Sequence, residues 1–275
     1  MGLLSSLVSR PIVRWLGRQR PAREFPLSDF ERIRYELKPC DVLLIEGRSR
    51  VSDVIRLITQ SPWSHAAIYI GRLHDIEDTE VRDAIQQHAR PLANEQLIIE
   101  SQLETGTVVR PLSEYRDDHL RICRPKGLTM DDGQATIAYA VSRLGTGYDV
   151  RQILDLARFL FPWSILPRRW RSSLFRHNAK SATLTVCSSM LAEAFGAVQF
   201  PILPLVRRDE TDAVALYRRN PKLCVPSDFD YSPYFEIIKY PFFDFSIHSS
   251  YRLLPWSQSA PMGDPQADAE RPPEN

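Results

Sequence analysis

Between residues 40 and 125 the chain runs through five short β-rich segments, DVLLIEG, HAAIYIG, QLIIESQ, TVVRPL and HLRICRP, separated by polar stretches. Runs of this length, rich in Val, Ile and Tyr, form strands. Between the first two lies SDVIRLIT, whose Val54, Ile55 and Ile58 and Ser–Asp start predict a short helix. Residues 72–95 are polar and charged and read as a long loop or insertion between two strands. Past residue 130 the period changes. DDGQATIAYAVSRL begins with acidic residues, spaces its apolar positions at Ile137, Ala138, Val141 and Leu144, and stops at Gly145. DVRQILDLARFLF, VCSSMLAEAFGAV and DETDAVALYRRNP predict three more helices, the second opening at or just before Cys187 and ending at Gly196. After Cys224 the chain is rich in Pro, Tyr and Phe and reads as an extended wrap anchored by aromatics. The Pro-rich tail, 258–275, has almost no large apolar residues and is expected to be disordered.

The domain organisation expected is therefore a basic amphipathic segment at 1–36, a catalytic-sized domain at 37–257 and a tail at 258–275. With 43% apolar residues, 25% charged residues and a formal net charge of +1, the chain has the make-up of an ordinary globular protein. The near-neutral balance argues against a nucleic-acid partner. The longest largely apolar stretch, 159–167, is far short of the roughly 20 residues that a bilayer span needs. The first residues do not read as a signal peptide, because the apolar run before Arg10 is short and no small-x-small site follows.

Residues 1–25 carry Arg10, Arg14, Arg18, Arg20 and Arg23 opposite Leu and Ile at helical spacing, interrupted by Pro11. Such a segment either lies on an anionic membrane surface or packs on its own domain. MGLLSS also fits the short myristoylation pattern. Residues 163–180 interleave Arg168, Arg169, Arg171, Arg176 and Lys180 with Trp163, Trp170 and Phe175. They read as a contact for phosphate-bearing or lipid headgroups, or as a solvated basic loop.

Four cysteines, Cys40, Cys123, Cys187 and Cys224, stand far apart with no CxxC pair, so neither a disulfide framework nor a thiolate zinc site is expected. Dispersed thiols point to a reducing compartment, cytoplasmic or at the inner face of a membrane. His65, His74 and His88 are too scattered for a metal set, and Gly145–Thr146–Gly147 lacks the remaining glycines of a nucleotide loop. No metal and no cofactor is expected.

Three segments carry chemistry when taken together. His65 opens an apolar strand just after a Pro–Trp turn. Glu100 ends another apolar strand, where a carboxylate needs a partner, either an arginine or an imidazole. Cys187 stands at the mouth of a predicted helix, where backbone amides and the helix dipole favour a thiolate. Cys, His and a carboxylate form a nucleophile, a base and an orienting acid. Cys40, Cys123 and Cys224 are read as buried structural thiols.

The order His, Glu, Cys resembles the circularly permuted branch of papain-like amidases, the YiiX/YebB-like cysteine hydrolases of the NlpC superfamily. The resemblance is carried by Asp41–Val42–Leu43–Leu44, Ser64–His65–Ala66–Ala67–Ile68, Ile98–Ile99–Glu100, Gly145–Thr146–Gly147–Tyr148–Asp149 and Cys187–Ser188, with Val108–Val109–Arg110–Pro111–Leu112 like the strand that follows the glutamate. It spans roughly 37–205. Cys40 stands where the family pattern has Gly before Asp41. The resemblance implies an α+β fold, with a helix bearing Cys187 packed on an antiparallel sheet or small barrel bearing His65 and Glu100. It implies Cys187 as nucleophile, His65 as base and Glu100 as orienter, with Asp41, Tyr148, Asp149 and Ser188 as substrate-binding positions. The activity it implies is hydrolysis of an amide, peptide or ester through a thioacyl-enzyme, on an acyl, peptide or lipid-like substrate. A lipid acyltransferase or deacylase on the same triad, and a catalytically silent module at a membrane surface, remain open alternatives. Neither acyl acceptor nor oligomeric state is legible.

Overall fold

The computed structural model describes residues 17–21, 27–102, 105–148, 184–185, 187–208 and 212–242. The expectations for most of the N-terminal segment, for the helix after Tyr148, for the basic aromatic stretch at 163–180 and for the tail at 258–275 lie outside the described residues. Among the described residues, no helix is long and apolar enough to cross a membrane.

The five predicted strands are all present: β1 (Val42–Glu46), β2 (His65–Gly71), β3 (Leu97–Gln102), β4 (Gly106–Pro111) and β5 (His119–Pro125). With β10 (Phe235–Ile238) they form one open sheet in the order β10-β5-β1-β2-β3-β4. Every neighbouring pair runs antiparallel. The sheet is covered on both faces. On one side Val42, Leu44, Ala66, Ile68, Ile70, Leu97 and Ile99 meet the helices α4 (Met130–Ser142) and α5 (Cys187–Ala197). On the other, Leu43, Ile45, Ala67, Tyr69 and Ile98 meet Phe30 and Ile33 of the helix α1 (Phe30–Glu36). Two-sided burial explains why the central strands read as unbroken apolar runs instead of alternating ones.

Helix α2 (Arg50–Thr59) begins two residues before the Ser–Asp start expected for it, with Ser49 capping the amide of Ser52. Two expectations are corrected. Within the polar stretch 72–95 stands a ten-residue helix, α3 (Thr79–His88), whose Asp78 side chain accepts from the amides of Glu80 and Val81. It buries Ile85 alone, so its apolar stripe is too thin to register as a period. The segment expected as a helix after 208 contains instead a strand, β9 (Val214–Tyr217), paired antiparallel with β8 (Leu205–Arg208). Val, Leu and Tyr satisfy either structure, and the pairing partner decides. The aromatic wrap enters the fold as the short helix α6 (Ser227–Tyr231) followed by β10, which closes one edge of the sheet. Phe235 sets its ring edge-on to Phe195, Phe200 and Phe229, at 5.5 Å between centroids in each case.

Cys40 explains its own departure from the family pattern. Its φ is +72°, in the left-handed region that glycine adopts without cost. The thiol donates to the Gly133 carbonyl at 3.1 Å, a buried contact that a glycine would lack.

Candidate active site

His65 is placed by the residues just before it. Trp63 is buried, donates from its indole to Asp230 at 3.1 Å, and has the Arg121 guanidinium over its ring. Ser64 donates its amide to the Ile45 carbonyl and accepts from the Gly47 amide on its hydroxyl, which ties the start of β2 to the end of β1. The register pairs Ile45 with His65. Across the next ladder Ile68 pairs with Ile99 and Tyr69 with Ile98. Continued along the strands, that register sets His65 diagonal to Glu100 on one face, within reach of long side chains.

The imidazole Nε2 hydrogen-bonds Oε2 of Glu100. Glu100 is fully buried, and both its oxygens are occupied. Oε2 also accepts from the Tyr115 hydroxyl at 2.6 Å, and Oε1 accepts from the Gln102 amide at 2.7 Å. Gln102 is two residues along β3 and so shares a face with Glu100. Tyr115 arrives from the turn Leu112–Tyr115 that follows β4. Neither residue was singled out in the sequence. The i+2 spacing of Gln102 was a usable signal, whereas Tyr115 is joined to Glu100 only by the folding of the edge.

Cys187 is the first residue of α5 and is 2% exposed. Burial pushes its thiol pKa up, but the His65 imidazole and the amides of Ala66 and Ser188 outweigh this and bring it below the ordinary value. With Nε2 engaged by Glu100, Nδ1 is the ring nitrogen left for the sulfur. His65 shows the complementary shift. Burial lowers its pKa, yet the Cys187 thiolate and then the Glu100 carboxylate raise it well above the ordinary value. Glu100 is pushed up by burial and brought below the usual carboxylate value by His65, Tyr115 and Gln102. The three groups favour an ion pair, thiolate against imidazolium, with the carboxylate behind it. The other thiols go the opposite way: burial pushes Cys40 up to about 12 and raises Cys123 and Cys224 as well.

The expected substrate-binding positions fall differently. Asp41 stands at the other end of β1, four residues from Ile45, with its carboxylate held by the Arg124 guanidinium at 2.8 and 3.0 Å and by the Lys38 amide at 2.8 Å. It is 1% exposed and fastens β1 to β5, away from His65. Ser188 is also buried, and its hydroxyl donates to the Cys224 carbonyl at 2.6 Å. Its amide, not its side chain, meets the sulfur. The backbone of Tyr148 lies in the two-residue strand β6 (Gly147–Tyr148), parallel to β7 (Leu184–Thr185), so it flanks the segment that leads into Cys187. Asp149 lies outside the described residues.

His65 forms part of the wall of a cleft of about 300 Å³. The larger cavity, about 620 Å³, lies at the far end of α5 among Ala197, Phe200, Ile202, Leu216 and Tyr217 and does not reach His65, Glu100 or Cys187. Among the described residues no group of three or more His, Cys, Asp or Glu side chains stands together as a metal site.

The described residues thus combine an open antiparallel sheet that supplies His65 and then Glu100 with a helix that opens on Cys187. Residues 36–158 match the model of the family described as permuted papain-like amidase enzymes, YaeF/YiiX, C92 family. The matched stretch contains His65 and Glu100 and ends before Cys187. Among solved structures the chain is similar to the crystal structure of the metalloprotein yiiX from Escherichia coli O157:H7, with 13% identity and a TM-score of 0.44 over 74% of this chain and 97% of that one. No curated protein sequence matches.

Proposed function

We propose that this chain is a cysteine hydrolase that cleaves an amide, peptide or ester bond through a thioacyl-enzyme, with Cys187 as nucleophile, His65 as general base and acid, and Glu100 as orienter. The observation that carries the reading is the meeting of His65, whose Nε2 bonds the buried Glu100, with Cys187 at the first position of α5, and of the four buried thiols Cys187 alone lies below its ordinary pKa. A family of amidases is consistent with it.

In the first half-reaction the Cys187 thiolate attacks the carbonyl carbon, and the positive end of α5 faces the developing oxyanion. The tetrahedral species collapses as the imidazolium gives its proton to the departing amine or alkoxide, leaving the acyl group on sulfur. In the second half-reaction the neutral imidazole takes a proton from water, the hydroxide adds to the thioester, and the thiolate leaves. Glu100 fixes the ring so that Nδ1 faces the sulfur throughout and stabilises the imidazolium whenever it forms.

The test uses a small activated ester, p-nitrophenyl acetate. The parent should release p-nitrophenolate and carry an acetyl group on Cys187 in peptide mass spectra, and Cys187→Ala should do neither. Release by Cys187→Ala and Cys187→Ser at the parental rate would contradict the reading.

A further inference from the structure

The pocket at the far end of α5, about 620 Å³, falls within the range of about 300–1,000 Å³ that small-molecule sites occupy. Helix α5 leaves room there by presenting Ala192 and Gly196, and a Cβ added at Gly196 would meet nothing within 4 Å. Most of the remaining wall is apolar, with Phe200 and Ile202 from the chain that leaves α5 and Leu216 and Tyr217 from β9. Close contacts fix this wall in place. The Phe200 ring packs at 5.5 Å against both Phe195 and Phe235, the Ser232 hydroxyl donates to the Ile202 carbonyl, and Arg219, just after β9, pairs with Asp228 at 3.1 Å. None of His65, Glu100 and Cys187 lines the pocket.

Its charges do not balance. Both acids in the lining are taken: Glu193 accepts from the Tyr139 hydroxyl at 3.1 Å and from the Arg143 guanidinium at 3.0 Å, and Asp228 is held by Arg219. Arg218, which follows β9 and lines the same pocket, is exposed and meets no acid among the described residues. Leu216 and Tyr217 stay exposed although they are large and apolar, so a chain laid in the pocket removes apolar surface from water. An apolar wall beside one uncompensated cation complements a molecule with an apolar chain and an anionic end.

We propose that this pocket is a second ligand site, separate from the cysteine chemistry, that takes the alkyl chain of an anionic amphiphile, a medium-chain carboxylate, with its charged end on Arg218.

Isothermal titration calorimetry on the full chain tests the assignment with decanoate and with 1-decanol, its uncharged counterpart. Decanoate should bind the parent one to one, and 1-decanol more weakly. Arg218→Gln should weaken decanoate about fivefold, the upper end of what an exposed ion pair contributes, and leave 1-decanol within about twofold. Gly196→Leu puts a side chain into the open space. It should weaken both ligands at least about tenfold, while the urea midpoint stays no lower than the parent's, because glycine is a poor helix residue. Ala192→Leu fills the same space from one turn earlier and is read in the same way should Gly196→Leu be unstable. Cys187→Ala should bind decanoate as the parent does, which separates this pocket from the site of the chemistry. Absence of saturable binding, loss of binding in Cys187→Ala, binding that survives both filled variants, or an Arg218→Gln that weakens both ligands equally or neither would overturn the proposal.

Discussion

Glu100 is a buried carboxylate that keeps its charge because three contacts support it: the imidazole, which the diagonal placement of the strands brings within reach, the Tyr115 hydroxyl and the Gln102 amide. Removing the charge without changing the shape isolates its effect. In Glu100→Gln the imidazolium loses a partner, so its pKa falls and that of the Cys187 thiol rises. Turnover of p-nitrophenyl acetate should drop about a hundredfold, at the lower end of what a positioned base contributes. Tyr115→Phe removes one donor and should cost about 1 kcal/mol of stability with a smaller loss of rate. The pH dependence follows from the signs. The Cys187 thiol is lowered, so its reactivity persists on the acid side of the ordinary thiol value and fades only as the sulfur protonates. The His65 imidazolium is raised, so hydrolysis, which needs that proton, fades on the alkaline side once the pH exceeds the raised value. The stabilisation follows the same signs. The share from Cys187 and Glu100 is lost as pH falls through their lowered values, and the share from His65 is lost as pH rises through its raised one. A rate profile whose acid limb begins at the ordinary thiol pKa would contradict this account.

Strand pairing does most of the work of assembly at the level of elements. β2 and β3 bring His65 and Glu100 to one face, and the parallel contact of β6 with β7 steers the chain into Cys187. The start of β4 has no slack. Gly106 has a φ of +74°, and a Cβ there would stand 2.2 Å from the Thr146 carbonyl oxygen. The neighbouring Thr107 amide donates to that same carbonyl, and Gly145 returns a bond to the Thr107 carbonyl. Gly106→Ala therefore combines left-handed strain with a backbone clash and should destabilise the protein by about 2 kcal/mol or more, read as a lower urea midpoint. An unchanged midpoint would mean that β4 and the 145–147 turn are not locked together as described. Legibility in the sequence divides along the same line. The strands β1 to β5 and the helices α4 and α5 could be read because burial imposes apolar runs or a helical period on them. Helix α3 could not, because Ile85 is its one fully buried side chain, and β9 could not, because its strand character depends on β8.

For the molecule as a whole, the His, Glu, Cys order was the most informative part of the sequence, and it led to the family that residues 36–158 match. A residue that supports Glu100 was hidden, because Tyr115 acquires its neighbour only when β4 pairs with β3 and the following turn folds back. Asp41 shows the converse. Its place in the pattern suggested substrate, and the fold commits it to Arg124. The sequence presents four equivalent thiols, and the fold makes them unequal: Cys40, Cys123 and Cys224 are raised by burial and by the nearby carboxylates Asp41, Asp230 and Asp228, whereas Cys187 is buried against an imidazole and two amides. That inequality is the central claim, and timed iodoacetamide alkylation with peptide mass spectrometry measures it directly. On the folded parent near pH 7, Cys187 should be labelled well before the other three thiols, and His65→Ala should remove most of that lead. Uniform labelling of all four, or a lead that survives His65→Ala, would contradict the account.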